Sequence, residues 1–157
     1  METVYFLGVD IAKKTFDASL TTDAKAFDPS QCENNAKSID AFFRETKKKF
    51  GLSYRQLIVC MEHTGIYCLP LLNFLVENNI KVCLEPAIQI KRSQGLVRGK
   101  NDKVDAQRIA IYAYKNREHL AFWKPQRLII QKLKALLVTR DRLVAGKTML
   151  SVPIRCS

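Results

Sequence analysis

No stretch of this 157-residue sequence reaches the roughly 18 unbroken apolar residues needed to span a bilayer. Its start, METVYFLGVD, carries an acid where a secretory signal would need basic residues, and Asp10 cuts the apolar run short. A soluble, cytoplasmic protein without a membrane partner is expected. The five cysteines (Cys32, Cys60, Cys68, Cys83, Cys156) are an odd number with no CxxC pair, which argues against zinc and against a disulfide framework. Cys60 and Cys83 fall inside apolar runs, where a reduced cysteine behaves as a small hydrophobe. There is no internal repeat and no low-complexity tract.

What is present is a globular hydrophobic content of 47% and an uneven charge. Residues 1–88 carry 10 Lys and Arg against 11 Asp and Glu, whereas residues 89–157 carry 16 against 4. A near-neutral first part followed by a basic second part suits a polyanion lying across the second. Two of the four acids in the basic part, Asp102 and Asp105, sit among Lys100, Lys103 and Arg108. Carboxylates kept inside a basic stretch point to chemistry more than to solubility.

The hydrophobic pattern predicts an α/β domain. Val4–Val9 reads as a central strand buried on both faces and ending at Asp10, and Thr15–Thr21 alternates as its antiparallel hairpin partner. A third short strand is expected near Ala24–Phe27, before the turn residues Asp28-Pro29-Ser30. Asn34 or Asn35 caps a helix over Ala36–Phe50, which Gly51 stops. Leu57–Met61 is a buried strand ending at Glu62; a helix over Gly65–Asn78 and a strand over Ile80–Leu84 follow. Pro86 opens a short helix to about Ser93, residues 94–101 form a loop, and a helix runs from Asp102 to about Arg117. Strands alternating with helices after a hairpin give a mixed sheet flanked by helices. Trp123-Lys124-Pro125 marks a boundary between a domain of residues 1–122 and a basic appendage of residues 123–157. In the appendage Leu128–Leu150 forms one long helix with Ile129, Leu133, Leu136, Leu143 and Leu150 at heptad-like spacing. Such a stripe begins a coiled coil or packs on something outside this chain, so a fragment or a homo-oligomer is expected.

Asp10 and Glu62 end two buried strands, and functional groups in open α/β sheets collect beyond the strands' carboxyl ends. Asp102 and Asp105, three apart at a helix start, share one face, which Ile109 and Tyr112 continue so that the helix can dock. Singly, Asp10 can cap a turn and Asp102 a helix, with Asp105 favouring the helix dipole. Four converging carboxylates, however, need neutralising, and hard divalent cations such as Mg²⁺ do this with oxygen ligands. Two ions about 3.5–4 Å apart would steady the attacking and leaving oxygens of a phosphodiester, with Mn²⁺ as a substitute.

The stretches FLGVDIAKKTFDASL, VCMEHTGIYCLPLLNFL and GKNDKVDAQRIAIYA, with their acid-x-T-G-x-Y turn and D-x-x-D-A helix start, resemble the DEDD transposases of the insertion sequences numbered 110 and 1111. The resemblance implies a RuvC-like domain of ribonuclease H fold whose four metal-binding catalytic acids are Asp10, Glu62, Asp102 and Asp105. It implies Mg²⁺-dependent DNA strand cleavage and exchange during excision and insertion of a mobile element, guided by an element-encoded RNA. It also implies a C-terminal transposase domain with a serine nucleophile, expected to lie outside this chain, since neither Ser151 nor Ser157 sits in a matching motif.

Lys91, Arg92, Arg98, Lys100, Lys103 and Arg108 surround the acidic helix and are candidate phosphate contacts. His63 adjoins Glu62, where a structural hydrogen bond is the better reading than proton transfer; Tyr67, Tyr112 and Trp123 are assigned to packing before base stacking. Two rivals stand against the transposase. One is a sugar-kinase or actin-like ATPase, which would want a glycine soon after Asp10 where this chain has Ala12 and Lys13. The other is a non-catalytic nucleic-acid-binding or oligomerisation module.

Overall fold

The structure is a computed structural model that describes residues 3–63, 65–92, 102–125 and 128–151; the side chains of 87, 91–92, 102–103, 128–135 and 150–151 lie outside the description. Its centre is the strand β1 (Tyr5–Ile11), antiparallel to β2 (Thr15–Thr21) on one side. On the other side β1 runs parallel to β4 (Leu57–Glu62), which runs parallel to β5 (Lys81–Glu85). With β3 (Ser30–Glu33) antiparallel to β2, the five-stranded sheet has the order β3-β2-β1-β4-β5. This is the mixed α/β sheet that the hydrophobic pattern predicts.

The third strand is displaced from its expected place at Ala24–Phe27. Thr21 Oγ1 lies 2.6 Å from the Asp23 carbonyl and accepts from the Asp23 amide, while the Asp23 carboxylate accepts from the Lys25 amide at 2.7 Å. These side chains satisfy the backbone locally and compete with the ladder, leaving one bridge between Thr21 and Ala26. Regular pairing resumes only after Pro29, where Cys32 turns into the core.

Helix α1 (Ala36–Phe50) follows its predicted limits: the Asn35 side chain accepts from the Ser38 amide at 3.0 Å, and Gly51 closes it in the left-handed conformation, φ 62°. The next helix starts as a 3₁₀ turn, Gly65–Cys68, before α2 (Leu69–Glu77), whose first turn holds Pro70 without losing a bond. A short α3 (Ala87–Arg92) and then α4 (Asp102–Lys115) follow. The expected loop at 94–101 lies outside the described residues.

Strand alternation sends side chains to two cores. On one face Leu7, Val9, Phe16, Val59 and Met61 pack against Ile39 and Phe43 of α1 and Leu71 and Leu75 of α2. On the other, Phe6, Ile58, Cys60 and Cys83 meet Ile90 of α3 and Ile109 and Ala113 of α4. The strands are therefore buried on both sides, which explains their near-continuous apolar runs.

The chain divides into two units, Met1–Trp123 and Lys124–Ser157. The second contains α5 (Leu128–Ser151), on which Leu136 and Leu143 are exposed; Ile129, Leu133 and Leu150 of the stripe have side chains outside the description. Among the described residues no helix is long and apolar enough to cross a membrane.

A candidate carboxylate centre at the sheet edge

The register of the parallel strands lines up three acids. Val9 pairs with Met61, so one residue further on Asp10 and Glu62 stand side by side, and Glu62 pairs in turn with Glu85. All three lie on the sheet face that carries Phe6, Ile58, Cys60 and Cys83, because side chains two residues apart on a strand share a face. Across the antiparallel ladder Asp10 pairs with Asp17, which puts a fourth carboxylate on that face.

Helix α4 covers the same face and delivers the remaining acids. Phe6 meets the Tyr114 ring edge-on at 5.8 Å, and Gly8 abuts the backbone of Ala106 and Ala110. Moving up β1 from Phe6 to Gly8 thus moves back along α4 from Tyr114 toward Ala106. Continued one step, the same run brings Asp10 level with the first turn of α4, which starts at Asp102 and contains Asp105. The docking face differs slightly from expectation: Ala106, Ile109, Ala110 and Ala113 are buried, while Tyr112 is only half-buried. Alanines are the side chains small enough for a helix to rest on a glycine of the strand.

Asp10 and Glu62 are half-buried. Asp105 accepts from the Arg108 guanidinium at 2.9 Å, the pair being three residues apart on the helix. Arg108, a candidate phosphate contact, is therefore engaged with a carboxylate. The side chain of Asp102 lies outside the description, as do those of Lys91, Arg92 and Lys103; Arg98 and Lys100 lie outside it altogether. Among the described residues no three His, Cys, Asp or Glu side chains stand close enough to hold a metal ion. The backbone collects Asp10, Glu62 and the start of α4 at one edge without drawing the described carboxylates into a closed cage. His63, next to Glu62 in sequence, is exposed, as is Tyr67 in the following 3₁₀ turn, and Trp123 packs at the core margin.

Two acids were not singled out in the sequence. Glu85 is 8% exposed and ends a buried strand, the same signal that marks Asp10 and Glu62. Its Oε1 accepts from the buried Cys83 thiol at 3.0 Å. Burial first, and then the Glu85 charge, push the Tyr112 phenol up to about 12. A hydrogen bond to Cys83, together with burial, holds the Cys60 thiol well above its ordinary range. The two cysteines thus do more than fill space. Asp17 is the other acid. Its strand reads as simple alternation, yet Asp17, Ser19 and Thr21 are all buried, because α4 lies over them.

Comparison with known proteins bears on the family and on the fold. A family model described as a transposase, of the insertion-sequence-110 DEDD type, matches residues 7–156. The pilin gene-inverting protein of Moraxella lacunata is 31% identical over 139 residues, covering 87% of this chain and 42% of that protein. This chain therefore spans less than half the length of that relative. Among solved structures, T. thermophilus RuvC in complex with a Holliday junction substrate has a TM-score of 0.56 at 14% identity, over 76% of this chain and 99% of that one. A second Thermus thermophilus RuvC structure gives 0.55 at 12% identity, over 76% and 100%. The fold is RuvC-like, of the ribonuclease H type.

Proposed function

This chain belongs to the DEDD transposase family of the insertion-sequence-110 type, and from that premise we propose that it carries the nuclease centre of a DNA recombinase. What supports the reading is that Asp10 and Glu62 end neighbouring parallel strands and that α4, which opens with Asp102 and Asp105, packs on β1 at Gly8. Family membership also removes the ground for the sugar-kinase reading.

Asp10, Glu62, Asp102 and Asp105 would hold two Mg²⁺ ions, with Mn²⁺ able to replace them. The residues fit such ions: the donors are all carboxylate oxygens, as hard cations prefer, and the buried Asp17 Oδ1 lacks a hydrogen-bond partner on the same face. Bound there, such cations would supply Lewis-acid charge for phosphodiester chemistry. The protein's own part is placement. Asp10 and Glu62 are fixed by the strand ladder, while Asp102 and Asp105 ride on a helix end next to residues 93–101. Arg108 neutralises Asp105 and can exchange that partner for a phosphate. Lys91, Arg92, Arg98, Lys100 and Lys103 would track the DNA backbone, so affinity should fall as salt rises. The exposed Leu136 and Leu143 of α5 support association of copies of the chain, and an RNA guide is carried over from the family alone.

The direct test is thermal melting with and without Mg²⁺ or Mn²⁺. At a free concentration a hundred times Kd, binding adds about 2.7 kcal/mol, a rise of roughly 5–10 °C for a chain of this size. Glu62→Gln should lose most of that gain. An unchanged wild-type melting temperature at metal concentrations on the order of millimolar would refute the metal reading.

A further inference from the structure

Among the described residues, Asp17 is a carboxylate whose burial the fold alone does not explain. It is 6% exposed, and its Oδ1 has no hydrogen-bond partner. Polar groups that share its face are engaged elsewhere. The Ser19 hydroxyl donates to the Phe27 carbonyl, and the Gln107 amide reaches the same carbonyl at 3.5 Å. Thr21 is committed to the 23–25 turn. A buried carboxylate oxygen left without a partner is costly, and a cation is a group that would offset that cost.

Position identifies that charge. Asp17 is the direct cross-strand partner of Asp10, on the same face and beneath the same helix. Side chains directly opposite on an antiparallel pair have Cβ atoms about 4.5–5.5 Å apart, and like charges so placed repel. One cation between two such carboxylates relieves both the repulsion and the burial. The half-buried Asp10 opens that position to solvent and Asp17 closes it from below.

We propose that Asp17 is a fifth carboxylate of the cation centre, binding through Oδ1 the ion held by Asp10; this rests on the metal-binding reading given above. It makes Asp17 the inner wall of the site and gives β2 a functional side chain alongside β1, β4 and α4. Removing it has two consequences of opposite sign. Without metal, loss of the orphan charge leaves the protein as stable as the wild type or more so. With metal, the ion loses an oxygen ligand and the variant gains less.

The experiment is Mn²⁺ titration of the 157-residue chain, read by calorimetry and by melting temperature, for wild type, Asp10→Asn and Asp17→Asn. The expected result is a metal-free melting temperature for Asp17→Asn at or above wild type, with Mn²⁺ affinity lower by ~10- to 100-fold. If Asp17→Asn fails to fold, the inference about its free charge is overturned by that result, and Asp17→Ser supplies the affinity comparison. Mn²⁺ affinity unchanged in either Asp17 variant, while Asp10→Asn loses it, overturns this proposal alone and identifies the orphan oxygen as hydrated. A wild type that binds no Mn²⁺ overturns the underlying reading and this one together.

Discussion

Gly8→Ala is expected to destabilise the protein by about 3 kcal/mol or more, a large loss for the addition of one methyl group. A Cβ at this position would overlap the Ala110 amide nitrogen and the Ala106 carbonyl oxygen. Both are backbone atoms of a helix, so no rotamer change relieves the overlap. The helix must lift, and lifting it uncovers Phe6, Ile58, Cys60 and Cys83. On the proposed reading the same movement displaces the start of α4 from Asp10 and Glu62, so the Mn²⁺-induced rise in melting temperature expected of the wild type should be lost along with the stability. Gly146→Ala is the control: a Cβ there meets nothing within 4 Å, and alanine favours a helix by roughly 0.8–1 kcal/mol. Urea unfolding of the two variants separates a packing requirement from a general effect of replacing glycine. A Gly8→Ala protein within about 1 kcal/mol of wild type would mean that α4 does not bear on β1 as described.

That contact also shows where sequence reasoning reached and where it stopped. The strand ending at Asp10, the strand ending at Glu62 and the helix opening at Asp102 are legible because apolar runs and a helical period are local signals. So are the Asn35 cap and the Gly51 stop. The helix α1 keeps its predicted limits because both ends are set by side chains and backbone within a few residues. The short strand β3 was misplaced because the Thr21 and Asp23 hydrogen bonds, also local, defeat the propensity of Ala24–Phe27.

The site was only half legible for a different reason. Asp17 lies in an alternating strand, and nothing within Thr15–Thr21 shows which face is covered. The cover is α4, some 85 residues onward, and only the pairing of Asp10 with Asp17 reveals that the two acids are neighbours. Glu85 carried the strand-end signal but no motif, and its neighbours Cys83 and Tyr112 lie on two elements far apart in sequence, β5 and α4. Arg108 shows the converse. Its spacing from Asp105 already allowed an ion pair, and the basic surroundings drew the reading toward phosphate instead.

On the proposed reading of the chain as a nuclease centre, Asp10→Asn is expected to lower metal-dependent DNA strand cleavage by about a thousandfold while leaving metal-free stability within about 1 kcal/mol of wild type. The first number follows from what the bound ions supply: several kcal/mol of transition-state stabilisation, each 1.36 kcal/mol being tenfold in rate. Asparagine keeps the shape of the side chain and removes the charge that ligates. The second number follows from the ladder. Asp10 faces Asp17 directly, and like charges in that arrangement oppose folding by roughly 0.2–1 kcal/mol, so removing one of them offsets what its other contacts provide. A carboxylate that served only the fold would behave the other way, losing stability in proportion to activity. The measurement pairs nicking of a DNA duplex at saturating Mg²⁺ with melting in a chelator. Cleavage within tenfold of wild type would remove Asp10 from the chemistry, whatever the melting temperature does. Cleavage lost together with several kcal/mol of stability would make Asp10 a structural residue, and the centre would then have to be built on Glu62 and α4.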